Sequence, residues 1–148
     1  MNQAMLLELR RASDREQEAY DFYVNMVRNV DDGAAKDLFR QLAVEEMRHT
    51  ALLKAVQRKG NLEEAKAEVQ AKHPEDGIII RPGKQKGSIR LAEAFSLSIR
   101  KEEAAIEMYS ADLKLAEDGQ LKELFTFLIK EESRHKSMLI DARSKAGL

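Results

Sequence analysis

The sequence predicts an all-α protein, a four-helix bundle made of two duplicated helical hairpins joined by a long crossover. Three observations carry that prediction. Apolar residues recur every three or four positions on both sides of the chain's centre, and no strand-type alternation occurs. The two prolines, Pro74 and Pro82, both fall mid-chain, which leaves long segments rich in the helix formers Ala, Leu, Glu and Lys on either side. A shift of 86 residues superimposes 15–53 on 101–139 without a gap and makes 14 of the 39 positions identical. Unrelated sequences of ordinary composition would share about two or three.

The first helix is expected near 3–30, with a stripe of Leu6, Leu9, Ser13, Glu16, Tyr20, Tyr23 and Val27. Asp31-Asp32-Gly33 reads as a tight turn, and the second helix follows near 35–59 with Leu38, Leu42, Glu46, His49, Leu53 and Val56 on one face. Gly60-Asn61 is a C-terminal stop. LEEAKAEVQAKH (62–73) predicts a short helix and PEDGIIIRPGKQKG (74–87) a loop, whose Ile78-Ile79-Ile80 run should find cover against a bundle end or a second subunit. Ser88 is the expected N-cap of the third long helix, near 88–116, with Phe95, Ile99, Glu102, Ile106, Tyr109 and Leu113. Glu117-Asp118-Gly119 is a second tight turn before the last helix, near 120–145, which carries Leu124, Leu128, Glu132, His135 and Leu139. The chain of 148 residues therefore reads as one domain over 1–148, with hairpin 1–59, crossover 60–87 and hairpin 88–148.

Composition narrows the chemistry. A net charge of −1 offers no bulk field for nucleic acid or an anionic membrane, so neither is an expected partner. The absence of cysteine excludes disulfides, thiolate metal sites, cysteine-held iron–sulfur clusters and thiol catalysis in this chain. The first residues lack a basic start followed by an apolar run, so no signal peptide is expected and a cytoplasmic location is.

The ionisable residues inside the apolar stripes are what packing does not explain. Glu16 lies among Ser13, Tyr20 and Tyr23, and Glu102 repeats it between Ile99 and Ile106. Glu46 and His49 share one face, three residues apart, and Glu132 and His135 repeat that pair. Glu16 precedes Gly33 by 17 residues, while Glu46 and His49 follow it by 13 and 16; the separations from Gly119 are the same in the second hairpin. At about 1.5 Å per residue, the six groups lie at matching depth. Four buried carboxylates must protonate or meet cations. Two divalent ions neutralise four carboxylates, with the imidazoles as neutral donors, which is how dimetal carboxylate bundles hold their metals. Oxygen and nitrogen donors without sulfur suit iron or manganese, with zinc as another occupant.

The paired EExxH motifs (EEMRH at 45–49, EESRH at 131–135), the Glu seven residues before Tyr23 and Tyr109, and the duplication resemble the rubrerythrin branch of the ferritin-like superfamily. The resemblance covers roughly 4–58 and 88–146. It implies metal-ligand roles for Glu16, Glu46, His49, Glu102, Glu132 and His135, with Glu46 and Glu132 bridging. Tyr23 and Tyr109 would donate their hydroxyls to ligand carboxylates. It also implies a di-iron or dimanganese oxidoreductase that reduces hydrogen peroxide or oxygen. Full-length rubrerythrins carry a cysteine-rich rubredoxin domain; here the electrons are expected from a separate donor protein. Ile99 and Ala105 stand one turn either side of Glu102, where peroxidase-type members carry an extra Glu, so no shift of an iron between ligands is expected.

Two other functions compete with this one: a ferroxidase or iron-handling protein, and a non-enzymatic helical module with a vestigial site. A homodimer is expected, with the crossover long enough for hairpins to swap between chains. Glu45 and Glu131 are expected to face outward and pair with Arg48 and Arg134, and His73 to be a solvated loop residue. Tyr20, Ile106, Phe39, Phe125 and Phe127 are expected to pack.

Overall fold

The computed structural model describes residues 2–83 and 87–148. Its long helices are α1 (Gln3–Asn29), α2 (Gly33–Lys59), α4 (Leu91–Leu115) and α5 (Gly119–Lys145), with a short α3 (Leu62–Lys72) and a 3-10 turn (Pro74–Gly77) in the crossover. No strand occurs among the described residues. α1 pairs with α2 and α4 with α5, which are the two expected hairpins of an all-α ferritin-like bundle. Residues 84–86, read from sequence as part of the loop, lie outside the described residues.

Local chemistry sets the helix ends. The Asp32 side chain accepts from the Ala35 amide at 2.9 Å, so α2 starts at Gly33, two residues before its expected start. Asp118 does the same for Gln120 and Leu121 at the head of α5. Gly60 closes α2 in the left-handed region at φ 65°, where a side chain would be strained. His73 ends α3 at φ 45°, just before Pro74; a proline disfavours helical geometry in the residue it follows.

Ser88 is not the cap of the third long helix. That helix starts at Leu91, behind Arg90, which makes no side-chain cap. The preceding segment is instead tied to the end of α1: the Gly83 amide donates to the Arg28 carbonyl at 3.1 Å, and Ile89 to that of Asn29. A Cβ on Gly83 would stand 2.6 Å from the Arg28 oxygen, so only glycine permits this approach.

The interior is divided along its length. One apolar cluster contains Leu9, Leu53, Val56, Leu62, Tyr109, Leu124, Phe125 and Leu128, and the other Tyr23, Met26, Phe39, Leu42, Phe95, Ile99 and Leu139. The buried glutamates and histidines lie between them in sequence register on all four long helices. Met5 is buried at the start of α1, whereas Leu6, assigned to the stripe, is 38% exposed. Ile80 packs on the second cluster while Ile79 stays exposed, so the isoleucine run is covered only in part. No described helix is long and apolar enough to cross a membrane.

Candidate metal centre

Each long helix brings one part of the site to mid-bundle. α1 supplies Glu16, α2 Glu46 and His49, α4 Glu102, and α5 Glu132 and His135; all six are buried. One chain supplies all six, so no hairpin from a second copy is needed to bring them together. Their ligand atoms form two groups, Glu16–Glu46–His49–Glu132 and Glu46–Glu102–Glu132–His135, in each of which the atoms lie within 4.8 Å of one another. Glu46 and Glu132 belong to both.

Both imidazoles turn Nδ1 inward. His49 Nδ1 lies 3.5 Å from Glu132 and 3.6 Å from Glu46, and His135 Nδ1 lies 3.1 Å from Glu46 and 3.5 Å from Glu132. The rings stand 5.9 Å apart, nearly parallel. The tyrosines cross between hairpins: Tyr109 donates to Glu16 at 2.5 Å, and Tyr23 donates to Glu102. Both hydroxyls lie in a layer with carboxylates, and burial followed by the nearby acids raises both phenols well above their usual range.

These atoms are poorly satisfied by protein. Glu16 Oε2, Glu102 Oε2, both oxygens of Glu46 and of Glu132, and both Nδ1 atoms are buried without a hydrogen-bond partner. Leaving even one such group unpaired costs about 1–3 kcal/mol, so eight together make a donor set shaped for cations rather than for packing. Titration behaviour agrees. Burial first, then Glu16 and Glu132, holds the Glu46 carboxyl well above its usual value, and burial with Glu16 pushes Glu132 up to about 7. Burial also opposes ionisation of Glu16, but Glu46, His49 and Arg15 outweigh it and lower the group to about 2. Against its own burial, His135 is raised to about 10 by Glu102 and Glu45. Glu131, Glu132 and Glu16 likewise raise His49 well above its usual value despite burial. Burial and like charge thus favour protons on part of this donor set, and protons compete with cations for the same atoms.

Three parts of the surroundings differ from the sequence expectation. Glu45 and Glu131 do not simply face solvent. Glu131 lies 3.6 Å from His49 Nε2 and Glu45 3.7 Å from His135 Nε2, each behind the histidine of the other hairpin. Arg134 pairs with both, at 3.1 Å for Glu131, whereas Arg48 leaves Glu45 and reaches Glu75 at 3.0 Å. Phe127, expected in the packing, is 39% exposed and meets the His49 ring edge-on at 5.9 Å. Arg15, which carried no expectation, enters the site: its Nη1 lies 3.7 Å from both Glu16 and Glu132. Its adjacency to Glu16 was the only signal in the sequence. Tyr20 packs at the edge of the second cluster, Phe39 and Phe125 are buried in the two clusters, Ile106 is half-buried, and His73 is exposed as expected.

A cavity of about 370 Å³ opens beside the site under the crossover. His49, Glu131 and Phe127 form its inner side, with Leu52 and Val69 as apolar wall. His135 does not reach it, so the cavity serves only one edge of a nearly symmetric centre.

A family model described as rubrerythrin matches residues 2–79. The match runs through α1, α2, α3 and the 3-10 turn. It thus includes most of a crossover to which the motif comparison assigned no resemblance, and it stops short of the second hairpin. No curated protein and no solved structure matches the chain.

Proposed function

Because the chain belongs to the rubrerythrin family, we propose that its buried centre holds two metal ions, iron in the native protein, and works as an oxidoreductase. Hydrogen peroxide or oxygen would be the oxidant and a separate protein the electron donor. The observation that carries this reading is the pair of overlapping donor groups that share Glu46 and Glu132, with eight donor atoms lacking protein partners. The same donors suit manganese, and zinc can occupy them.

Glu16 and His49 would hold one ion, Glu102 and His135 the other, and Glu46 and Glu132 would bridge. Reduced iron bound there supplies the two electrons that cleave an O–O bond. The protein's part is to hold these donors still and to manage protons. Tyr23 and Tyr109 fix Glu102 and Glu16 from the opposite hairpin. The cavity beside His49 gives a small oxidant its approach. Glu46, Glu132, His49 and His135 must release their protons for the ions to bind, so affinity should rise with pH. A homodimer and a cytoplasmic setting belong to the same proposal.

Ferroxidase activity is the second reading, supported by Glu131, which lies on the cavity wall and 3.6 Å from His49 Nε2, between the cavity and the centre. Anaerobic Fe(II) loading followed by rapid mixing with peroxide or with oxygen identifies the oxidant, and gel filtration separates the two readings: a dimer supports the first and a large closed cage the second. Metal analysis tests the site itself. About two ions per chain are expected, with less in His49→Ala and in His135→Ala. Full loading of both variants would refute the assignment, and no loading of the wild type would leave the vestigial module.

A further inference from the structure

The two hairpins are copies, and the six donor residues repeat, yet the charge around them does not. Arg15 and Lys101 are equivalent under the shift of 86 residues, each directly before a site glutamate. Arg15 turns inward. Its Nη2 donates to the backbone carbonyl of Lys101 at 2.9 Å, its guanidinium lies 5.7 Å from the Tyr109 ring centroid, and Nη1 is buried, 3.7 Å from Glu16 and from Glu132. Lys101 turns away, with its ammonium 4.9 Å from the centroid of the Phe22 ring.

The reason is legible in a second pair of equivalent positions. Phe22 is replaced by Met108 in the other copy. The aromatic face that Lys101 meets is thus not repeated at the equivalent position of the other copy, and Arg15 lies over Tyr109 instead, beside the site. An aromatic face holds a cation, and the planar, permanently charged guanidinium is the better partner for carboxylates at the site. One permanent positive charge therefore stands against Glu16 and Glu132, and among the described residues no lysine or arginine pairs with Glu102 or Glu46.

We propose that Arg15 makes the two metal positions inequivalent, weakening the Glu16–His49 position relative to the Glu102–His135 position. This rests on the dimetal reading above. Glu16 belongs to one donor group alone, and Glu132 to both, so the repulsion between Arg15 and a divalent ion falls mainly on the Glu16–His49 side. At an effective dielectric of about 20, a unit charge a few ångströms closer to one ion than to the other separates their affinities by about tenfold or more. Arg15 is a positioning residue in this scheme. It orders the filling of the centre and gives its two metals different electrostatic surroundings, although the donor atoms are the same.

The test is anaerobic calorimetric titration with Mn(II). His135→Ala leaves the Glu16–His49 position and His49→Ala leaves the other. The His49→Ala protein should bind Mn(II) about tenfold more tightly than the His135→Ala protein. Adding Arg15→Gln should tighten binding about tenfold in the His135→Ala background and change the His49→Ala background by much less. Arg15→Lys should retain most of the wild-type difference, and Lys101→Gln should move neither. In the otherwise intact protein, Arg15→Gln should bring the two binding steps closer together, a measurement that does not depend on the histidine variants folding. Equal affinities in the two histidine backgrounds overturn the proposal, as does an Arg15→Gln effect of equal size in both or no change in the step separation. A wild-type protein that binds no Mn(II) or Fe(II) would overturn the dimetal reading itself, and this inference with it.

Discussion

Glu46→Leu should stabilise the metal-free protein and abolish most of its stabilisation by metal. Glu46 is fully buried, and both its oxygens lack a hydrogen-bond partner. Each orphaned oxygen costs about 1–3 kcal/mol, and burial first, then like-charge repulsion from Glu16 and Glu132, holds the carboxyl well above its usual range. Leucine fills a similar space without the polar atoms. Protonation already relieves part of the cost, so a net gain of about 2–4 kcal/mol is expected. For a domain of this size that is a rise in melting temperature of about 5–15 °C. In the wild type, two ions each at a hundred times their dissociation constant should add about 5 kcal/mol, and Glu46→Leu should forfeit most of it because both donor groups lose a member. Scanning calorimetry at pH 8, on chelator-treated protein with and without added Mn(II), reads both effects. A lower melting temperature for metal-free Glu46→Leu would show that the carboxylate stabilises the fold by itself, and the account of the centre as an uncompensated acidic layer would fail.

The metal-free protein should lose stability as pH rises from about 5 to 9. The folded value of Glu132 is raised from 4.5 to about 7, so its cost is absent below 4.5 and complete above 7; His135, raised from 6.5 to about 10, contributes stability that is lost as pH climbs through 10. Glu16, Glu45 and Glu131, each lowered to about 2, set an acid limb in which stability falls as pH drops from 4.5 towards 2. Urea unfolding across this range tests both limbs, and rising stability between pH 5 and 8 would contradict them. Tyr109→Phe removes the donor to Glu16 and should cost about 1–3 kcal/mol, measured by the same unfolding. Asp32→Ala and Asp118→Ala should each cost about 1 kcal/mol through loss of an N-cap, whereas Ser88→Ala, which removes no cap, should leave stability unchanged.

The clustering of these six acids and histidines was legible because it follows from relations within each hairpin, repeated in the second copy. Spacing of three puts Glu46 and His49 on one helix face, and counting from Gly33 and Gly119 sets their height, since helix rise is nearly constant. The turns were legible for the same reason, through the side chains of Asp32 and Asp118 and the backbone freedom of Gly60. Ser88 misled because its cap signal was local while the segment's real tether, Gly83 on Arg28, joins residues far apart in sequence.

What the sequence by itself determined was the set of helices, the duplication and the inward face of each helix, because hydrophobic period and turn chemistry act within one or two turns. The tertiary structure alone decided the partners across hairpins: Tyr23 with Glu102, Tyr109 with Glu16, Glu131 behind His49, Glu45 behind His135, and Arg15 inside where Lys101 is outside. Those pairings depend on how far each helix is rotated against its neighbours and on which long side chain finds a better contact elsewhere. Two copies with the same clustered acids and histidines can differ on that point, as Arg15 over Tyr109 and Lys101 over Phe22 do.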